Sequence, residues 1–212
     1  EKALSVNAAG VYNLAKVCKN EGVKLVHIST DYVFSGEKKS PYHPFDQPDP
    51  INVYGISKLY GEHLLRHSGC DYLIIRTSWL YGPHGENFVQ KMLQLSEEKS
   101  SIDVVNDQFG SPTSTHTLSK YLVMMVKKNI SGLFHLTDRT GNGISWFTFA
   151  KKIMEVFERD TVINPVLSEK FIRPAKRPKY SVLDIEVTEL VLGEKLPYWE
   201  ISLGEYKKRV KY

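Results

Sequence analysis

KLVHISTDYVF, at residues 24–34, and DYLIIRTSW, at residues 71–79, are the two stretches that decide the fold. Each begins with a short apolar run and ends in polar residues, which is typical of a buried strand in a parallel sheet. Helical periodicity precedes the first stretch over residues 3–20 and separates the two over residues 54–67. The order helix, strand, helix, strand predicts an α/β fold whose parallel sheet has right-handed crossovers.

The rest of the chain is predicted to consist of smaller elements. We expect two further strands, at 102–105 and 132–137. Further helices are expected at 87–98, 115–128, 146–159, 186–192 and 202–211. Ser145 is a good N-cap for the helix at 146–159. A basic, Pro-rich linker is expected at 173–178, and no internal repeat is found, so one sheet with an interleaved smaller lobe is the expected layout.

Composition excludes several classes of protein. The chain has 212 residues, a formal net charge of +4 and 42% hydrophobic residues, which fits a globular protein with one large or two small domains. It contains no run of 20 apolar residues and does not begin like a signal peptide, so we predict no membrane span and a cytoplasmic location. Cys18 and Cys70 lack CxxC partners and are interpreted as small buried hydrophobic residues.

Basic residues form two short runs, and neither predicts a nucleic-acid partner. The runs contain Arg173, Lys176, Arg177 and Lys179, and then Lys207, Lys208, Arg209 and Lys211. A solvated face or an anionic small molecule explains such short runs at least as well as a polynucleotide. No metal site is predicted either, because His27, His63 and His116 do not have zinc-ligand spacing with a third ligand.

Tyr54 and Lys58 form a YxxxK pair within YGISK on a predicted helix. Residues four apart share one helix face, so the ammonium can lie near the phenol and favour its ionised form. A free phenol, with a pKa of about 10, would transfer protons poorly at neutral pH. Thr30 follows a predicted strand, so its hydroxyl points over the carboxyl edge of the sheet, where α/β proteins bind ligands. We therefore expect Thr30, Tyr54 and Lys58 to converge.

Several motifs occur together in a family-specific order: STDYVF, NVYGISKLYGE, RTSWLYGPHGENF, NDQFGSPT, GLFHLT and RPKYSVLD. In this order they resemble the extended short-chain dehydrogenase/reductases and, within them, the dTDP-4-dehydrorhamnose reductases. The resemblance runs from residues 6–7 to the end of the chain. It implies a Rossmann-like parallel sheet with a smaller interleaved α/β substrate-binding lobe. It also implies reduction of the C4 keto group of dTDP-4-dehydro-L-rhamnose by NADPH or NADH.

The resemblance assigns roles to individual residues. Tyr54 matches the general acid that protonates the C4 oxygen, and Lys58 matches the lysine that holds the nicotinamide ribose and lowers the pKa of the tyrosine. Thr30 matches the residue that hydrogen-bonds the substrate carbonyl. The residues implied to bind the cofactor are Tyr54, Lys58 and Ile28. The positions implied to contact the deoxysugar nucleotide are Thr30, Asp31, Tyr32 and Trp79, with Asn106 and Gln108 as weaker candidates in a turn that could simply close the cleft.

The same resemblance divides the chain. Residues 1–82 are expected to be the remainder of the NAD(P)-binding domain, and residues 83–212 mainly the substrate-binding lobe, with residues 102–128 returning to the Rossmann sheet. No GxGxxG or GxxGxxG motif occurs, although the pyrophosphate needs such a turn. We therefore expect a C-terminal portion of a longer protein that shows little turnover alone. A naturally short, non-catalytic relative is the alternative.

Two other functions remain open at the level of sequence. Another nucleotide-sugar reductase, epimerase or dehydratase of the superfamily is one, although Tyr32 after Asp31 does not supply the second acid that a dehydratase needs. A regulatory subunit that resembles the beta subunit of methionine adenosyltransferase is the other. Thr30 together with Trp79 favours the reductase. The sequence does not select NADH or NADPH, and the family resemblance leaves a homodimer open.

Overall fold

The computed structural model describes residues 1–171 and 174–210. Two positions of the basic runs, Arg173 and Lys211, lie outside the described residues. Along the described chain the elements follow in the order α1 (Lys2–Leu4), α2 (Gly10–Asn20), β1 (Leu25–Thr30), α3 (Val53–Arg66), β2 (Tyr72–Thr77), β3 (Leu80–Tyr81), α4 (Phe88–Glu98), β4 (Ser101–Val105), β5 (Phe109–Gly110), β6 (Thr113–Ser114), α5 (Thr115–Lys127), β7 (Gly132–His135), β8 (Ile144–Ser145), α6 (Trp146–Val156), β9 (Val162–Val166), α7 (Glu186–Leu192) and α8 (Trp199–Arg209).

Short irregular helices complete this order. A π-helical turn, Ser5–Ala9, joins α1 to α2, and 3-10 turns occupy Asp31–Val33 and Ser168–Lys170. The helix predicted at 3–20 is thus present but contains a π turn. The last helix begins at Trp199, earlier than predicted. Ser145 caps α6 as expected, because its Oγ accepts a hydrogen bond from Thr148 N at 3.1 Å.

A parallel sheet in the order β1-β2-β7 forms the centre of the molecule. The register pairs Thr30 with Thr77 and Arg76 with His135, so the three strands end at one edge. Polar residues that follow β1 and β2 are therefore brought together at that edge. The predicted parallel α/β sheet is confirmed.

A second parallel pair, β4 with β9, lies apart from this sheet. The expectation that residues 102–128 return to the Rossmann sheet is therefore wrong for its first part, because β4 pairs along its full length with β9. The last part does pack on the sheet: α5 places Leu118, Tyr121 and Met125 against strand residues in one hydrophobic cluster. The short pairs β3 with β6 and β5 with β8 connect the two regions.

Alternating side chains of β2 bury both faces of the sheet. Leu73 and Ile75 pack with α5, whereas Ile74 packs with Val11 and Leu65 of α2 and α3. A separate aromatic cluster is built around β4, α4, α6 and α8 and contains Tyr81, Met92, Leu93, Ile102, Val104, Phe149, Ile153, Trp199, Leu203 and Tyr206. The carboxyl edge of the sheet is thus supported on both faces.

Candidate active site

Thr30 lies at the carboxyl end of β1 and begins the 3-10 turn Asp31–Val33. Its Oγ1 accepts a hydrogen bond from Tyr32 N at 3.2 Å and donates one to Asp31 Oδ1 at 3.0 Å. These bonds, together with the burial of Thr30, fix the hydroxyl at the edge of the sheet, as the sequence predicted.

Helix α3 begins directly against this turn. Asn52 caps it, accepting a hydrogen bond from Gly55 N on Oδ1 at 2.8 Å. A Cβ at Gly55 would lie 2.1 Å from the carbonyl oxygen of Tyr32, so only glycine permits this approach. The first turn of α3, which carries Tyr54, is thereby held close to Thr30.

Tyr54 has a partly exposed ring, and its phenol lies near Thr30. The two side chains interact, and the rings of Tyr54 and Tyr32 meet edge to face at 5.9 Å between centroids. Burial raises the pKa of Tyr54; the hydrogen bond from Thr30 opposes this, and the charge of Asp31 adds to it. Because 48% of the residue remains exposed, a ligand can reach it.

Lys58 lies one turn further along α3 and donates from Nζ to the carbonyl oxygen of Ile28 at 2.5 Å. Burial lowers the pKa of Lys58, and the charge of Glu62 opposes that shift. The expectation that the ammonium favours the ionised form of Tyr54 does not hold here, since the pKa of Tyr54 is raised. The physical reason is that burial of Tyr54 dominates its pKa, while the ammonium is directed at the Ile28 carbonyl. The structure therefore joins Ile28, Thr30, Tyr54 and Lys58.

Asp31 is a buried carboxyl group beside Thr30. Burial raises its pKa to about 6, while hydrogen bonds from Ser181 and Thr30 oppose the shift. Ser181 was not predicted as a site residue, although it lies within the RPKYSVLD motif. Its backbone N donates to Phe109 O at 2.8 Å, which ties this segment to the turn at 106–110.

Trp79 follows β2 by two residues and adopts a left-handed backbone with φ of 46°. Its indole stacks on Trp146 at 3.5 Å between ring centroids and 8° between planes. The other neighbour is Gly110, where a Cβ would lie 2.4 Å from the Trp79 ring. Trp79 is thus half-buried, and Trp146, which sequence reasoning missed, is the member of the pair that lines the adjoining cleft.

The cleft has a volume of about 2040 Å³. Gln108 lines it, together with a basic segment whose charges come from Lys176, Arg177 and Lys179. Asn106 instead uses its Oδ1 to accept a hydrogen bond from Ser145 Oγ at 2.7 Å, which holds the turn. The Asn52 side chain donates to Lys176 O at 2.9 Å, so the cap of α3 contacts the cleft wall.

The described residues contain neither a metal-binding cluster nor a membrane-spanning helix. No group of three or more His, Cys, Asp or Glu residues there could hold a metal ion. No helix in the described part of the chain is both long enough and apolar enough to cross a bilayer.

Comparison with known proteins identifies the family. A model described as the RmlD substrate binding domain matches residues 1–212. A dTDP-4-dehydrorhamnose reductase of Sinorhizobium fredii is 38% identical over 213 residues, covering 95% of this chain and 71% of that protein. A dTDP-4-keto-6-deoxy-D-glucose reductase of Streptomyces niveus is 40% identical over 205 residues, covering 96% of this chain and 70% of that protein.

A solved structure agrees with the sequence matches. The dTDP-4-dehydrorhamnose reductase of Bacillus anthracis, crystallised in complex with NADP, superposes with a TM-score of 0.92 at 39% identity. The match covers 96% of this chain and 72% of that one. The resemblance first indicated by the motifs is confirmed, and the chain belongs to the dTDP-4-dehydrorhamnose reductase family.

Proposed function

We propose that this chain acts in the NAD(P)H-dependent reduction of the C4 keto group of dTDP-4-dehydro-L-rhamnose to the hydroxyl of dTDP-L-rhamnose. The observation that carries the proposal is the meeting of Thr30, Tyr54 and Lys58 at the carboxyl edge of the sheet. Ile51, just before the cap of α3, lines the cleft, whereas Thr30, Tyr54 and Lys58 are not among its lining residues. The names of the relatives support the same reaction class.

Reduction of a ketone requires a hydride at carbon and a proton at oxygen. A reduced nicotinamide, when bound, supplies the hydride. Tyr54 supplies the proton: its phenol is protonated at neutral pH, and the residue is exposed enough for a bound ketone to reach it. The Thr30 side chain interacts with the phenol, and its hydroxyl would donate to the carbonyl oxygen of the substrate in place of Asp31.

Lys58 fits the role of a cofactor ligand. An ammonium has three donors, and one of them is directed at the Ile28 carbonyl. The remaining donors suit the hydroxyls of a nicotinamide ribose, and the fixed carbonyl of Ile28 orients them. The complex of the Bacillus anthracis relative supports NADP as the cofactor, and NADH is the alternative to be assayed.

The proposed substrate contacts are Asp31, Tyr32, Trp79 and Gln108 along with Thr30. Trp79 contributes through its stack with Trp146, and Gln108 lines the cleft directly. Asn106 is assigned to holding the turn that carries Gln108. The division at residue 82, a cytoplasmic location, the lack of a nucleic-acid partner and a homodimer stay predictions.

The test is a reductase assay on the full-length gene product. Oxidation of NADPH and NADH is followed with dTDP-4-dehydro-L-rhamnose and, separately, with dTDP-4-keto-6-deoxy-D-glucose. We expect turnover with the first sugar and a fall in kcat of about 10²- to 10⁴-fold in Tyr54→Phe, because the proton donor is lost. Tyr60→Phe is the matched control, since Tyr60 lies on the same helix and is 56% exposed.

Three results would count against the proposal. Wild-type activity in Tyr54→Phe would show that Tyr54 is not the general acid. Activity with the second sugar alone would change the substrate. Cofactor binding without turnover of either sugar would favour the regulatory-subunit alternative.

A further inference from the structure

A fully buried ion pair that the reaction above does not use lies beneath the proposed site. Glu62 of α3 and Arg76 of β2 are each 1% exposed. Arg76 binds the carboxylate with two bonds, Nε to Oε1 at 2.9 Å and Nη2 to Oε2 at 2.6 Å. Ser29 Oγ donates to the same Oε1 at 2.5 Å. Both carboxylate oxygens are therefore bonded.

The location of this carboxylate relates it to the site. Tyr54, Lys58 and Glu62 follow at intervals of four and share one face of α3. Ser29 is flanked by Ile28 and Thr30, the two residues of β1 that bond Lys58 and Tyr54. In the sheet register Ser29 lies opposite Arg76. One carboxylate thus joins α3 to the ends of two strands.

Arg76 is itself held from its far side. Its Nη1 donates to Pro44 O at 3.2 Å, and its guanidinium lies 5.1 Å from the centroid of the Phe34 ring. Glu62 therefore bonds to an immobilised partner. A buried ion pair adds little net stability, because the cost of desolvating both charges offsets their attraction. The position of the Glu62–Arg76 pair therefore says more about its role than the strength of the pair does.

We infer that Glu62, held by Arg76, is a positioning residue for the proposed reduction, which fixes α3 on β1 so that Lys58 meets Ile28 and Tyr54 meets Thr30. The inference rests on the proposed function, in which Thr30 and Tyr54 deliver the proton and Lys58 holds the cofactor. Loss of the carboxylate would free the helix face that carries both side chains.

The charges around Lys58 add a second effect of Glu62. Burial lowers the pKa of Lys58, and the negative charge of Glu62 opposes that shift. The titratable neighbours on the packed strands are His27 on β1 and His135 on β7. Burial, then Lys58, lowers the pKa of His27 to about 4, and burial lowers that of His135 far below its usual value, so both are neutral. Arg76 on β2 also carries a charge, and that charge is paired with Glu62.

The experiment measures the titration of Lys58 without requiring turnover. The full-length gene product is acylated with acetic anhydride over a pH series, and labelling at Lys58 is read by mass spectrometry. In Glu62→Gln we expect the midpoint to fall by about half a pH unit or more, because the supporting charge is lost. We also expect kcat to fall about tenfold with KM for the sugar nucleotide little changed, because misplaced catalytic groups slow the chemical step.

Glu189→Gln is the matched control. Glu189 of α7 is also a buried carboxylate, and it accepts bonds from Lys195 Nζ at 2.7 Å and Leu196 N at 3.0 Å. Its removal should lower stability and leave the Lys58 midpoint unchanged. If Glu62→Gln does not fold, the double variant Glu62→Gln/Arg76→Met removes both buried charges and should show the same shift.

An unchanged Lys58 midpoint in a folded Glu62 variant would overturn the inference. An equal shift in Glu189→Gln would overturn it too, because the effect would then reflect general destabilisation. Absence of reductase activity in the wild type, with the labelling shift intact, would contradict the proposed function and leave the positioning of Lys58 by Glu62 standing.

Discussion

The indole rings of Trp79 and Trp146 stack at 3.5 Å between centroids, although the two residues are 67 positions apart in the sequence. The antiparallel pairing of β5 with β8 makes the stack possible, since it places Gly110 opposite Ile144 and so brings the start of α6 to the loop after β2. Trp146 of this pair lines the cleft.

Gly110→Ala should disrupt this stack. A Cβ at Gly110 would lie 2.4 Å from Trp79 Cε2, so the ring must move. We expect the near-UV circular dichroism of the tryptophan pair to decrease and binding of the dTDP-sugar to weaken about tenfold, or about 1.4 kcal/mol. Gly10→Ala is the control, because its Cβ meets only Ser5 O at 3.5 Å. Unchanged dichroism in Gly110→Ala would contradict the contact.

Thr30→Val should move the alkaline limb of the pH profile. The hydrogen bond from Thr30 lowers the pKa of Tyr54, so its loss raises that pKa further. The limb of kcat/KM that reports ionisation of Tyr54 should shift to higher pH, and kcat should fall about tenfold or more.

Thr77→Val is the matched control for this measurement. Thr77 lies opposite Thr30 in the sheet, is buried, and its Oγ1 has no hydrogen-bond partner among the described residues. Valine has the same shape, so this variant should keep its pH profile and gain about 1 kcal/mol of stability. A limb that moves equally in both variants would exclude a specific role for the Thr30 hydroxyl.

Gly55→Ala should displace the start of α3. Its Cβ would lie 2.1 Å from Tyr32 O, which is backbone and cannot yield without moving the 3-10 turn. We expect a loss of kcat of about 10²-fold, together with a lower Tm, because a displacement of about 1 Å at a catalytic group has that effect. In α8, Gly204→Ala meets nothing within 4 Å and should instead stabilise by about 0.5–1 kcal/mol. Full activity in Gly55→Ala would disprove the close approach.

Asp138 should make stability depend on pH near neutrality. Burial raises its pKa to about 7 from an unfolded value of 3.8. The folded state therefore binds more protons than the unfolded state between these values, and the free energy of unfolding falls as pH rises from about 4 to about 7. Asp138→Asn should flatten that slope in thermal unfolding.

Asp103→Asn serves as the comparison for Asp138. Asp103 is bonded to Lys170, and this bond is the main cause that lowers its pKa, so it titrates below the same window. Its substitution should leave the slope between pH 4 and pH 7 unchanged. If Asp138→Asn keeps the wild-type slope, the buried carboxyl group does not titrate as described.

Local patterns were sufficient to predict the parallel sheet and the positions of Thr30, Tyr54 and Lys58 in the fold. Thr30 could be placed because a parallel strand presents the residues at its carboxyl end, and Tyr54 and Lys58 because four-residue spacing puts them on one helix face. Residue spacing does not reveal the hydrogen-bond partner of Lys58. Its ammonium bonds the Ile28 carbonyl, and this contact depends on how α3 packs on β1. The spacing therefore predicted the wrong direction for the shift in the pKa of Tyr54.

Long-range contacts account for the other differences. β9 was not predicted because Pro165 interrupts its short apolar run, and without β9 the pairing of β4 was wrongly assigned to the main sheet. The two-residue strands β3, β5, β6 and β8 are too short to show periodicity. Ser181 approaches Asp31, and Trp146 approaches Trp79, only through tertiary packing, which no local signal in either segment reveals.

The residues proposed for proton transfer and the wall of the cleft come from different parts of the chain. Thr30, Tyr54 and Lys58 lie on β1 and α3, where a Cβ at Gly55 would meet the backbone of Tyr32 and Glu62 is buried. Loop residues 35–39 and 176–177 line the cleft, and Asn52 at the start of α3 bonds to Lys176 O. Under the proposed function, substitutions in these loops can change which sugar nucleotide such a protein accepts, while the reduction step is inherited unchanged.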